Sequence, residues 1–124
     1  MSTTPAQRAE VIEPLLLEVK VATNRVELSL AIPPDLIYFR GHFPNFAILP
    51  GVVQIAWVMD FAKRYFPIEN AFAETLRIKF RRPLLPDDRL LLTLDYQPLR
   101  NQLDFTYAGS KGIASSGRIG LERL

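Results

Sequence analysis

Between Pro50-Gly51 and Pro67 runs a segment, Val52 to Phe66, that is apolar on nearly every side. Val52, Val53, Ile55, Ala56, Trp57, Val58, Met59, Phe61 and Ala62 leave almost no polar face before Lys63-Arg64. The flanking Pro-Gly and Pro give a helix a defined start and stop. A helix apolar around its whole circumference is expected to be buried around its whole circumference. The chain has 124 residues, enough for one domain. Whatever wraps the helix must come from the same short chain, and the remaining material reads as strand.

Residues 1–10 read as a flexible leader and 11–124 as a single domain. Leu15–Val21 is strand-like, and Ala22-Thr23-Asn24 is a hairpin break. Arg25–Ile32 alternates with Val26, Leu28, Leu30 and Ile32 on one face. Pro33-Pro34 ends that strand. Asp35–Gly51 is irregular but rich in aromatics, the mark of a packed functional loop. Further on, Leu76, Ile78 and Phe80 alternate with Arg77, Lys79 and Arg81. Leu90–Tyr96, Leu103–Ala108 and Ile113–Leu121 are strands separated by turns at Arg100-Asn101 and Gly109–Gly112. Consecutive strands with short turns predict an antiparallel meander. The predicted fold class is α+β: one long central helix wrapped by a curved antiparallel sheet.

Composition narrows the chemistry. Hydrophobic residues at 48% and charged residues at 23% describe a folded domain, not a low-complexity tail. No apolar run reaches membrane-spanning length, so a cytoplasmic protein without membrane attachment is expected. With no Cys and a single His, there is no thiolate nucleophile and no metal site needing two imidazoles. A net charge of +2 is a poor argument for nucleic acid and is compatible with an acidic protein partner.

The segment Gly41-His42-Phe43-Pro44-Asn45-Phe46-Ala47-Ile48-Leu49-Pro50-Gly51-Val52 resembles the signature of the hot-dog-fold 3-hydroxyacyl-(acyl carrier protein) dehydratases (FabA/FabZ-like). It matches GHFP-x-x-x-I-x-PGV at eight of twelve positions. Downstream, Lys79-Phe80-Arg81-Arg82-Pro83, then Pro86, Asp87 and Leu90, resembles that family's KFRRPVxPGD-x-L strand. Two matches in the right order carry far more weight than one glycine motif. The form Ile48-Leu49-Pro50-Gly51-Val52-Val53-Gln54 is also similar to the aryl-polyene, ApeI-like branch.

The resemblance implies a hot-dog fold and elimination of water from a carrier-bound 3-hydroxyacyl thioester, in fatty-acid or polyene biosynthesis. It implies no metal and no redox cofactor, with the substrate held on phosphopantetheine. Such a reaction removes a C2 proton and expels the C3 hydroxyl. The base needs a pKa near neutrality, which imidazole has unperturbed. The motif assigns that part to His42; outside such a motif a lone His reads as a packed core residue. The thioester oxygen needs donors, and the free N–H groups at a helix start supply them. Gly51 and Val52 open the helix and Gly41 adjoins the base, though both glycines also serve as turn residues. Gln54 reads either as a substrate contact or as a polar contact at a subunit seam.

One position departs from the family. Its Glu or Asp on the central helix, five residues after the glycine of PG, is Ala56 here. Asp60, where the family usually holds Gln, keeps a carboxyl on the same stripe about 6 Å further along the axis. If Asp60 is buried among Trp57, Met59 and Phe61, desolvation raises its pKa and suits it to act as an acid. The alternative is a pairing with Lys63 or Arg64. Phe43, Phe46, Trp57 and Phe61 are expected either in an acyl pocket or in the core. Arg77, Lys79, Arg81 and Arg82 form either a solvated face or a landing site for the acyl carrier protein. A homodimer or higher oligomer is expected by resemblance. The rival functions are a hot-dog acyl thioesterase and a non-catalytic acyl-binding subunit.

Overall fold

The structure is a computed structural model that describes residues 10–40, 47–68 and 73–122. Six strands, β1 (Leu15–Ala22), β2 (Arg25–Ala31), β3 (Ala73–Phe80), β4 (Arg89–Gln97), β5 (Gln102–Gly109) and β6 (Gly112–Leu121), surround one helix, α1 (Gly51–Tyr65). All neighbouring strands are antiparallel, in the order β1-β2-β4-β5-β6-β3. The α+β expectation holds. No helix among the described residues is long and apolar enough to cross a membrane.

The meander is only partly as expected. β4, β5 and β6 follow one another through short turns, with Asn101 (φ 49°) and Gly112 (φ 100°) supplying the left-handed residues. β3, however, does not pair with β2. The chain crosses the sheet through α1 and adds β3 to the far edge, beside β6. Both β1 and β3 are therefore edge strands.

The core is the inner face of the sheet closed by α1. Val26, Leu28, Leu30, Leu92, Leu94, Leu103, Phe105 and Ile119 meet Val53, Trp57, Val58, Phe61 and Ala62. Alternation along β2, β4 and β5 places every second residue inward, as the pleat requires. The expectation of a helix buried on all sides is not met. One sheet covers one flank, and the stripe Val52, Ala56 and Asp60 is exposed, Val52 by 75%. Leu76 (51%) and Phe80 (54%) on β3 are likewise open to solvent.

Candidate active site at the helix start

The first turn of α1 is held without a side-chain cap. Pro50 is the N-cap, and no acidic residue lies in the first turn. The Pro50 carbonyl accepts from the N–H groups of both Val53 (3.1 Å) and Gln54 (3.2 Å). The N–H groups of Gly51 and Val52 meet no acceptor among the described residues, as expected for the first donors of a helix. They stand where the helix dipole is positive. An anion or a developing oxyanion is the natural occupant of such a place.

Beside this helix start is a cleft of about 390 Å³, lined by Ile48, Leu49, Pro50, Gly51, Gln54, Phe80, Arg81, Arg82 and Pro83. Its two walls are the pre-helix segment and the end of β3. They approach closely because position 51 is glycine: a Cβ there would stand 2.6 Å from the Phe80 ring. The two quoted motifs, remote in sequence, thus meet at one contact.

Gln54 is buried (3% exposed), and its polar groups are already engaged. Its Oε1 accepts from Ser115 Oγ (2.7 Å), its Nε2 donates to the Leu49 carbonyl (3.3 Å), and its own carbonyl accepts from Tyr107 Oη (2.7 Å). Each end of this amide has a partner inside the protein, which accounts for its burial without either a substrate or a seam contact. Sequence reading missed its partners, Tyr107 and Ser115. They are register partners on β5 and β6 and both point inward. A signal existed for Ser115, because Ala114-Ser115 interrupts the alternation of β6. Tyr107 faces Ser115 while Ala108 faces Ile113, so Ala114 is the extra residue of a bulge. Its carbonyl accepts from the N–H groups of Arg81 and Arg82 (2.8 and 3.0 Å), tying the end of β3 to the same bulge.

Burial pushes the Tyr107 phenol well above its ordinary value of 10.0, since the phenolate would lose its solvation. The hydroxyl therefore stays a donor at neutral pH. The folded value exceeds the unfolded one, so the stability gained is whole below pH 10.0 and is lost as pH climbs beyond it. Alkaline unfolding followed by circular dichroism is expected to steepen above that pH. Tyr107→Phe should blunt this dependence while costing about 1 kcal/mol at neutral pH for the lost hydrogen bond.

Asp60 does not share this cleft. It is exposed, not buried among Trp57, Met59 and Phe61, because Trp57 and Phe61 turn into the core while Asp60 follows Val52 and Ala56 along the open stripe. It lines a smaller cleft of about 100 Å³ with Glu13, Pro14, Leu16, Trp57, Phe61 and Arg64. There Trp57 Nε1 donates to the Ile12 carbonyl (3.0 Å), and Arg64 lies over the Phe61 ring at 5.0 Å. Trp57 and Phe61 are thus core residues bordering this second cleft and do not line the one at the helix start. Gly41, His42, Phe43 and Phe46 lie outside the described residues.

The basic residues divide into two groups. On the outer sheet face, one register row reads Arg25, Asp95, Asp104, Arg118, Arg77. Arg25 pairs with Asp95 (2.9 Å) and Arg118 with Asp104 (3.1 Å), which leaves Arg77 and its neighbour Lys79 as a positive excess at the β3 edge. Arg81 and Arg82 instead border the cleft at the helix start.

Comparison with known proteins agrees with this architecture. The chain matches the ApeI-like family, described as ApeI dehydratase, over residues 18–118. A chain of the dehydratase heterocomplex ApeI:P from Xenorhabdus doucetiae superposes with a TM-score of 0.83 at 33% identity, covering 90% of this chain and 99% of that one. A solved structure from Erwinia carotovora subsp. atroseptica gives 0.78 at 35% identity, covering 90% and 98%. The 3-hydroxyacyl-[acyl-carrier-protein] dehydratase FabZ of Koribacter versatilis is 32% identical over 98 residues, 70% of this chain. That match spans 63% of the Koribacter protein, less than two thirds of its length. The fold is the hot-dog fold. The family match over residues 18–118 and the superposition on the ApeI:P chain make the chain a member of the ApeI-like dehydratase family.

Proposed function

We propose that this chain is a dehydratase-type hydro-lyase that eliminates water from a 3-hydroxyacyl thioester carried on the phosphopantetheine of an acyl carrier protein. The observation that carries the reading is the pair of N–H groups, Gly51 and Val52, that meet no acceptor among the described residues at a helix start bordering a 390 Å³ cleft. A thioester carbonyl seated there gains two donors that strengthen as negative charge develops on its oxygen. His42 takes the C2 proton, and the C2–H electrons move into the thioester as an enolate. Their return to form the C2–C3 double bond expels the C3 oxygen, which leaves as water once protonated. Asp60 is exposed and lines a different cleft, so with alanine at position 56 the departing oxygen takes its proton from solvent, which makes the expulsion slow in this reading. The reading requires no metal or redox cofactor.

Arg81 and Arg82, with Arg77 and Lys79 behind them, suit an acidic carrier protein delivering its substrate to that mouth. The exposed Val52, Leu76 and Phe80 suit cover by a second hot-dog subunit, alike or unlike. A second reading has its own support. Ala56 removes the family's acid, and the Xenorhabdus relative is described as a heterocomplex. The chain would then be the acyl-binding member of an unlike pair.

The experiment is a product-resolved incubation with carrier-bound 3-hydroxyacyl substrate. The proposal expects an enoyl thioester, formed slowly by the unmodified chain. Free acid would identify a thioesterase. No product from the chain alone, with product on adding an unlike hot-dog partner, would favour the second reading.

A further inference from the structure

One inner row of the sheet crosses all six strands: Val19, Leu28, Leu92, Tyr107, Ser115 and Phe80. Its last three members all act on the first turn of α1. Phe80 lies against Gly51, and Ser115 and Tyr107 grip the two carbonyl-bearing groups of Gln54. Buried polar side chains in an apolar core are costly unless fully satisfied. Here they are satisfied: among the described residues no buried side-chain nitrogen or oxygen lacks a partner. A leucine at position 54 would fill the same space without those polar groups. It would also release the Leu49 carbonyl, which lies just before the helix and is bonded by Gln54 Nε2 across Pro50.

We infer that Gln54 is a positioning residue: clamped between Ser115 and the Leu49 carbonyl, and held at its backbone by Tyr107, it fixes how the Gly51 and Val52 N–H groups face the cleft. The inference rests on the reading of those groups as donors to a thioester carbonyl. Two linkages make it mechanical. Leu49 is joined to the connection between β3 and β4 by its own N–H, which donates to the Leu84 carbonyl at 2.8 Å, so the pre-helix segment is held from both sides. The Ala114 bulge aims Ser115 at Gln54 and, through its carbonyl, holds Arg81 and Arg82, which line the same cleft. Helix start, cleft wall and cationic rim are thus referred to one point. A displacement of about 1 Å in such a frame costs on the order of 10²-fold in rate.

The test reads carbonyl polarisation, which does not depend on turnover. Octanoyl-pantetheine labelled with ¹³C at its thioester carbonyl, which has no 3-hydroxyl to lose, is bound to the full chain and examined by isotope-edited infrared spectroscopy. In the unmodified protein the stretch is expected at lower frequency than in buffer. In Ser115→Ala and Gln54→Leu it is expected to return towards its buffer position while the thioester still binds, and kcat with 3-hydroxyacyl substrate should fall about tenfold or more with KM little changed. A low-frequency band retained in both variants overturns the inference and leaves the donor reading standing. A band at its buffer position in the unmodified protein overturns the donor reading itself, and this inference with it. Should Gln54→Leu fail to fold, Ser115→Ala, which removes one oxygen from a strand, decides the matter.

Discussion

Replacing Ala56 by glutamate is expected to raise the rate of water loss from a 3-hydroxyacyl thioester by about 10²–10⁴-fold, the usual worth of a positioned general acid. Hydroxide is a poor leaving group, and departure as water needs a proton delivered as the C3–O bond breaks. Position 56 lies on the exposed stripe of α1, one turn after Val52 and one turn before Asp60. A longer side chain there meets open space and not the core. Glutamate is also a good helix former, so stability should change by no more than about 0.5 kcal/mol. Steady-state rates of the two proteins on one carrier-bound substrate measure the effect. An unchanged rate would mean that position 56 does not face the departing hydroxyl, and would move the weight to Asp60 or to the acyl-binding reading.

The second large effect concerns the base. His42→Ala is expected to lower kcat by about 10²–10⁴-fold with little change in KM, because the imidazole acts on the C2 proton in the transition state and contributes little to holding the acyl chain. The Ala56→Glu background is the more sensitive place to see this, since a faster reaction gives more range to lose. The two changes should not add independently, since acid and base act on the same elimination. Equal rates with and without His42 would remove it from the chemistry.

How far the sequence led can be judged residue by residue. Alternation in β2 placed Val26, Leu28 and Leu30 in the core correctly, because a pleated strand with one buried face has a period of two and little freedom to slip, whereas the same alternation in β3 ends in the exposed Leu76 and Phe80. The motif around Pro50-Gly51 located the helix start, and the KFRRP stretch located the strand that meets it. The sequence could not say that they touch: Gly51 and Phe80 are brought together by α1 carrying β3 to the far edge of the sheet, a long-range consequence of topology. Gln54 reads in the sequence as a substrate or seam contact, and its partners are not legible there, since pairing Tyr107 with Ser115 depends on the one-residue bulge at Ala114. Of the two readings of Asp60, burial as an acid or pairing with Lys63 or Arg64, burial fails for a simpler reason: a single sheet covers only the flank of α1 carrying Trp57 and Phe61.

The central claim is that imidazole and helix-start amides together take a proton from C2 of a thioester. Mass spectrometry of a carrier-bound 3-hydroxyacyl substrate held with the protein in deuterated water tests it most directly, because exchange at C2 requires only base and oxyanion donors and not the acid that position 56 lacks. The account predicts deuterium at C2 of recovered substrate or of enoyl product, formed by the unmodified protein and lost in His42→Ala. C2 that stays fully protonated, or deuterium gained equally without His42, would contradict it.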